Sequence, residues 1–333
     1  MRQLTFTEQK RLEWWDVPEP RIEDPRDAIV RPLAVSACDL DPLIARGETP
    51  FPGPIALGHE FVAEVVEGPR AGELVCVPFQ ISCGECARCR AGLTSDCASV
   101  PGTAMFGFGA AGGDWGGALS DLVRVPFADH MLVPLPDGVE PVAAASASDN
   151  LVDGWRTVGP MLEERDGLEV LVVAGGATSI ALYAVAFATA LGAARVTYLD
   201  SDEGRLALAR QLGAETMEGP PPHRVGDYDV TVDASADPAG LACALRSLAP
   251  GGTCTSVGIY WAPETPVPLL EMFIRGARFV TGRPAARAAM PKVLDLVAAG
   301  VVRPELVTSR VVSFDDAPEA LLDGGTKLVM GPR

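Results

Sequence analysis

The chain has 333 residues, 48% of them hydrophobic and 21% charged, with a formal net charge of −17 at pH 7. The length predicts two domains, and the composition an ordinary soluble globular protein with ample apolar surface to bury. So large an acidic excess argues against nucleic acid or an anionic membrane as partner, since both are bound by clustered Lys and Arg.

The N-terminal stretch MRQLTFTEQKRLEWW has no apolar h-region, so no signal peptide is expected and the location is expected to be cytoplasmic. Residues 1 to about 35 alternate short β-like runs with Pro-rich turns. IALGHEFVAEVVEG, LVCVPF, LVRVP and HMLVPLP follow. Short strands bounded by Gly and Pro predict a compact, mostly antiparallel β domain whose binding residues sit on the loops.

Two metal-ligand signatures fall in this half. Cys83, Cys86, Cys89 and Cys97 form C-x2-C-x2-C-x7-C. Four thiolates at that spacing close the coordination sphere of one tetrahedral ion, so a zinc there would be structural. The alternatives are a pair of disulfides, which needs an oxidising compartment, or four unrelated thiols. Cys38 and the step His59-Glu60 offer a thiolate, an imidazole and a carboxylate, an incomplete donor set of the kind a catalytic zinc uses with one position open. The chain has only three histidines. Cys76, Cys243 and Cys254 lie in apolar runs and read as core thiols.

After Pro141 the pattern becomes Ala-rich and helical, and then strand and helix alternate. VLVVA leads to a helix over 180–191, RVTYLD to one over 203–212, and YDVTVDAS to one over 239–248 before GTCTSVGIY. Repeated βα units predict a parallel, doubly wound sheet. Val170 to Ala194 carries no charge, but a Gly-Gly step divides it, which favours a buried strand-turn-helix over a membrane span. A helix near 291–299 and a strand KLVM end the chain. The turn AGGATSIA is suited to bring backbone N–H groups to a pyrophosphate. Its G-x-G-x-x-G pattern is altered: Ala174, Gly176 and Ser179 hold the spacing from the strand, and Gly176, Thr178 and Ala181 hold it counted backwards from Gly192. Asp200 ends the next strand, where a carboxylate would take the adenosine ribose hydroxyls, repel a 2′-phosphate and favour NAD over NADP. Its other reading is a helix N-cap.

GHE after an upstream Cys, followed by the four-cysteine loop, resembles the zinc-dependent medium-chain alcohol dehydrogenases. The likeness runs over essentially the whole chain, from DAIVRPLAV before Cys38 to the cofactor unit. It implies an α/β plus β fold: a GroES-like, mostly antiparallel catalytic domain over residues 1–149 and 285–333, and a Rossmann domain over 150–284. It also implies Asp149, in SASDNLVDGW ahead of Gly154-Trp155, as third zinc ligand. Many members carry Cys there and some secondary alcohol dehydrogenases Asp. Asp153 is the second candidate, and a helix N-cap the other reading of Asp149. Glu60 would be an exchangeable fourth ligand and Asp41 would orient His59.

On the cofactor side the resemblance implies Gly175, Gly176, Thr178, Ser179 and Ile180 at the phosphates and Arg205 beside Asp200 in the adenosine pocket. Lys327 would reach the pyrophosphate, and Val257-Gly258 would line the nicotinamide. Phe79 and Trp115 are candidate pocket aromatics, with ordinary core packing as their other reading. One departure concerns proton movement. The family's hydroxyl and imidazole relay positions hold Leu40 and Leu43, which leaves a water, Asp39 or Glu60 to take the proton. The implied protein is a cytoplasmic NAD-dependent zinc alcohol or polyol dehydrogenase, a homodimer or homotetramer with two zinc ions per subunit. Two alternatives are a carbonyl or enoyl reductase keeping only the structural zinc, and a degenerate nucleotide-binding sensor.

Overall fold

The computed structural model describes residues 1–331. The chain divides into two compact units, one built from Met1–Val152, Pro284–Gly300 and the segment from Thr308 onward, the other from Asp153–Arg283 and Val301–Val307. The divisions fall within three residues of the expected 149/150 and 284/285. Val301–Val307, expected in the catalytic domain, groups with the cofactor unit.

In the first unit the strand Ala28–Ser36 pairs antiparallel with Glu60–Glu67, Leu328–Gly331 and Val123–Val125. Its run AIVRPLAVS is buried at most positions, as a strand covered on both faces requires. Pro32 cannot donate to the ladder, and the register with Glu60–Glu67 shifts between Pro32 and Ala34. Leu74–Val77 and Val133–Pro134 extend the sheet on one side, and Arg310–Ser313 closes the other by pairing parallel to Leu328–Gly331. The last strand of the chain is thereby built into the sheet formed by the first third. A smaller sheet orders Arg11–Asp16, Arg2–Glu8 and Ile55–Ala56. Phe61, Phe106, Leu57 and Ile44 sit at the centre of the apolar core.

The second unit is a six-stranded parallel sheet in the order Glu215–Glu218, Arg195–Asp200, Glu169–Ala174, Tyr228–Ala234, Leu248–Ser256, Arg278–Thr281. The chain starts at Glu169–Ala174, winds outward on one side, then returns to wind outward on the other. The order therefore reverses between Glu169–Ala174 and Tyr228–Ala234, the point where open α/β sheets bind ligands. The uncharged stretch is the strand Glu169–Ala174 followed by the helix Thr178–Ala190, which is buried from Ser179 to Ala188. No described helix is long and apolar enough to cross a membrane. The expected helices are observed at Thr178–Ala190, Glu203–Gln211 and Pro238–Arg246. The helix expected near 291–299 starts earlier, at Ala286, with Pro291 inside it.

Candidate active site

The loop after Leu74–Val77 gathers four thiols. The sulfurs of Cys83, Cys86, Cys89 and Cys97 all lie within 4.8 Å of one another, and every cysteine of the chain is unpaired. Backbone amides point at the sulfurs: Cys83 N to Cys97 Sγ at 3.3 Å, Glu85 N and Cys86 N to Cys83 Sγ at 3.4 Å, Cys89 N to Cys86 Sγ at 3.4 Å and Ser99 N to Cys97 Sγ at 3.4 Å. Ser99 Oγ donates to Cys83 Sγ at 3.2 Å. Such donors favour the thiolate. The amides of Ala98 and Cys89 pull Cys86 down to about 6, whereas burial pushes Cys89 up to about 12. Four sulfurs this close can all ionise only against a positive charge, and a closed S4 set fits structural zinc.

The second cluster joins three distant pieces of the first unit. Cys38 follows the strand Ala28–Ser36, His59 precedes Glu60–Glu67, and Asp149 follows the 3-10 turn Ala145–Ser148. One donor atom from each lies within 4.8 Å of the others. Ser148 ties the turn to the strand: its Oγ accepts from Phe61 N at 3.0 Å and donates to Phe61 O at 3.1 Å. His59 is fully buried, and neither ring nitrogen has a hydrogen-bond partner. Asp149 Oδ2 stands 3.6 Å from Nε2 and Asp41 Oδ1 3.7 Å from Nδ1. A buried imidazole with neither nitrogen hydrogen-bonded, only faced by carboxylates beyond hydrogen-bond distance, has the surroundings of a metal ligand. Asp41 is also anchored to the thiolate residue, its Oδ2 accepting from Cys38 N at 2.8 Å. Burial works to lower the His59 pKa, but Asp41 and Asp149 outweigh it and raise it to about 9; burial pushes the Cys38 thiol well up. An ion taking both donors must displace their protons, so this site loads better as pH rises. Three S, N and O donors with a position left over fit a catalytic zinc.

Two residues at this site went unmarked in the sequence. Gly107 has φ +79°, and a Cβ there would lie 2.9 Å from His59 Cβ and 3.0 Å from its Nδ1. The Phe108 ring centroid is 4.9 Å from that of His59, closer than the 5.6 Å of the anticipated Phe79. Trp115 instead packs under the Arg124 guanidinium. Asp153, the second ligand candidate, pairs with Arg156.

Glu60 and Lys327 meet each other. Glu60 stands outside the three-donor cluster. Its Oε2 accepts from Lys327 Nζ at 2.7 Å and its Oε1 from Asn150 N at 3.4 Å. Both side chains of the ion pair are completely buried. Lys327, expected at a pyrophosphate, thus has its charge matched inside the catalytic unit, because so buried an ammonium needs a carboxylate. Burial raises Glu60 to about 7 even against the lysine. Leu40 and Leu43 are half-buried with apolar side chains, and the Leu40 amide lies 3.2 Å from Cys38 Sγ.

In the second unit the turn Gly175–Ala177 lies at the sheet's reversal point. Gly176 N and Ala177 N donate to Ser235 O and Ala234 O, each at 2.9 Å. A Cβ on Gly175 would lie 2.6 Å from Ser235 O, and one on Gly258 2.9 Å from Ala236 N. The glycines let the ends of three neighbouring strands close on one another. Thr178 opens the helix, with Oγ1 3.5 Å from Gly175 O; the side chains of Ser179 and Ile180 are buried in its first turn. Buried Asp233, unmarked in the sequence, holds this region: its carboxylate accepts from Ser235 Oγ at 2.5 Å, Ser256 Oγ at 2.6 Å and Tyr260 OH at 2.8 Å. Asp200 ends its strand as expected, and Arg205 forks onto it, Nε to Oδ2 and Nη2 to Oδ1, both at 2.6 Å. The helix N-cap is Asp202, not Asp200. Strand order, glycine turn and buried carboxylate fit a dinucleotide.

Residues 24–137 match the alcohol dehydrogenase GroES-like domain and residues 179–299 the zinc-binding dehydrogenase domain. A probable zinc-binding alcohol dehydrogenase of Mycobacterium tuberculosis is 30% identical, over 90% of this chain and 79% of that protein. A glutathione-independent formaldehyde dehydrogenase of Bacillus subtilis is also 30% identical, over 89% of this chain and 83% of its own length. The solved alcohol dehydrogenase of Thermus sp. ATN1 superposes with a TM-score of 0.91 at 28% identity, covering both chains fully. The chain belongs to the zinc-binding medium-chain alcohol dehydrogenase family of oxidoreductases.

Proposed function

We propose that the chain is an NAD-dependent zinc alcohol dehydrogenase, transferring a hydride between a small alcohol or polyol, or the matching aldehyde or ketone, and the nicotinamide. The observation that carries this reading is the cluster of Cys38, His59 and Asp149 around an imidazole with two unpartnered nitrogens. Those residues would hold a catalytic zinc, and Cys83, Cys86, Cys89 and Cys97 a structural one. When bound, the catalytic ion supplies Lewis acidity to a substrate oxygen. Asp41 orients Cys38 and His59 together, and Phe79 and Phe108 keep water from the imidazole. A water, half-buried Asp39 next to Cys38, or Glu60 paired with Lys327 would pass the hydroxyl proton on. The carboxylate that ends Arg195–Asp200 would favour NAD over NADP once it is free to take the ribose hydroxyls. The test is cofactor reduction across primary, secondary and polyol substrates. NAD-linked turnover of at least one supports the reading. Cofactor binding with no turnover on any favours the sensor, and reduction of an enone by a Cys38→Ser chain favours the reductase.

We further infer a cytoplasmic homodimer. Eight unpaired cysteines suit a reducing compartment. The strand Arg278–Thr281 ends its sheet with an open edge, and the adjacent helix Leu269–Arg275 exposes Leu269, Leu270, Phe273 and Ile274 at 69%, 71%, 82% and 73%. An open edge beside such a patch is self-complementary across a two-fold axis. Phe273→Asp is expected to shift the sedimenting species from dimer to monomer; a native chain that sediments as a monomer would refute the assignment.

A further inference from the structure

The environment of Asp200 goes beyond what a ribose-binding carboxylate requires. The residue is 4% exposed, and five donors converge on it. Oδ1 accepts from Arg205 Nη2 at 2.6 Å, Ser201 N at 2.7 Å and Asp202 N at 3.1 Å; Oδ2 accepts from Arg205 Nε at 2.6 Å and Tyr198 OH at 2.8 Å. A carboxylate has about four lone-pair positions. All are taken, so a ribose diol has no acceptor left.

The five donors differ in how easily they leave. Two are backbone amides at the strand end, and Tyr198 is fully buried. Only Arg205 reaches Asp200 on a long side chain with a route to solvent, its side chain being 24% exposed. A resting place lies beside it: Asp202 Oδ2 is 3.8 Å from Arg205 Nη1 and its side chain is half exposed.

We propose that Arg205 is a latch on the adenosine end of the cofactor site, which must release Asp200 before a ribose binds and which, while closed, masks the charge that discriminates NAD from NADP. The proposal rests on the dinucleotide reading above. The closed state presents a neutralised pair to the incoming ribose. A 2′-phosphate then meets little repulsion, and the guanidinium can turn toward it. In the open state the diol replaces the fork on Asp200. NAD affinity is thus reduced by the fraction of molecules with the latch closed.

The test is calorimetric titration of the native chain, Arg205→Ala and Arg205→Lys with NAD and with NADP. Asp200 keeps three donors in either variant, and Lys cannot fork onto both oxygens. Arg205→Ala is expected to bind NAD about three- to tenfold more tightly and NADP about tenfold more weakly, with Arg205→Lys between. If Arg205→Ala fails to fold, the same ordering in Arg205→Lys carries the test. Weaker NAD binding in both variants would make Arg205 a direct cofactor contact and overturn the latch, as would unchanged Kd values for both cofactors. A native chain that binds neither cofactor overturns the dinucleotide reading itself.

Discussion

Asp149→Ala is expected to lower kcat/KM for the best alcohol by at least about a thousandfold while the protein stays folded. Polarising a reacting oxygen with a bound ion contributes several kcal/mol, and each 1.4 kcal/mol is about tenfold in rate. Without Asp149 only Cys38 and His59 of the three-donor cluster remain, too few to hold a catalytic zinc. The Asp149 side chain is only 14% exposed but lies at a turn end outside the apolar core, so the melting midpoint should move little. Asp149→Cys distinguishes lost ligation from lost shape. It restores a donor of comparable reach and should recover most of the lost rate. Steady-state kinetics with matched melting curves decide the matter. Activity of Asp149→Ala within tenfold of native would remove Asp149 from the metal site.

The second large effect concerns the four-cysteine loop. Cys86→Ser should cost at least about 5 kcal/mol of stability, a fraction of the roughly 10–16 kcal/mol that a structural zinc contributes to zinc-finger peptides. The sulfur removed is one whose thiolate is favoured by the amides of Cys89 and Ala98. The loss should spread beyond the loop, because Cys83, Cys89 and Cys97 pack against Val100 and Phe127, which also border the main core of the catalytic unit. Cys76→Ser removes a fully buried thiol, more buried than Cys86, that belongs to neither cluster, and should cost no more than an ordinary buried polar substitution, about 1–3 kcal/mol. Denaturant midpoints of the three chains measure the contrast. Equal costs for Cys86 and Cys76 would mean that the loop holds no structural metal.

The parts legible in the sequence were those in which chemistry and spacing coincide. Four cysteines within fifteen residues can meet on one loop whatever the rest of the chain does, and the Gly175-Gly176 step in the apolar run favoured a strand, a turn and a helix over a membrane span. Asp149 was reachable through resemblance, since nothing in SASDNLVDGW itself separates a ligand from a helix cap. What escaped were partnerships made by the sheet. Lys327 meets Glu60 across 267 positions because the final strand pairs with Ala28–Ser36 beside Glu60–Glu67, and no local pattern encodes that. Asp233 carried no mark in the sequence, because its partners Ser256 and Tyr260 come from the neighbouring strand and its following loop. Gly107 left only a faint mark, a glycine between two phenylalanines. Its role emerged once His59 stood where a side chain would have been.

The measurement that bears most directly on the whole account is zinc per subunit, by elemental mass spectrometry, on the native chain and on Cys38→Ser. Two ions falling to one is the predicted result, with the four-cysteine ion retained and the Cys38, His59 and Asp149 ion lost. One ion in both proteins would contradict it, leaving a structural zinc alone and a reductase or sensor as the function of the fold.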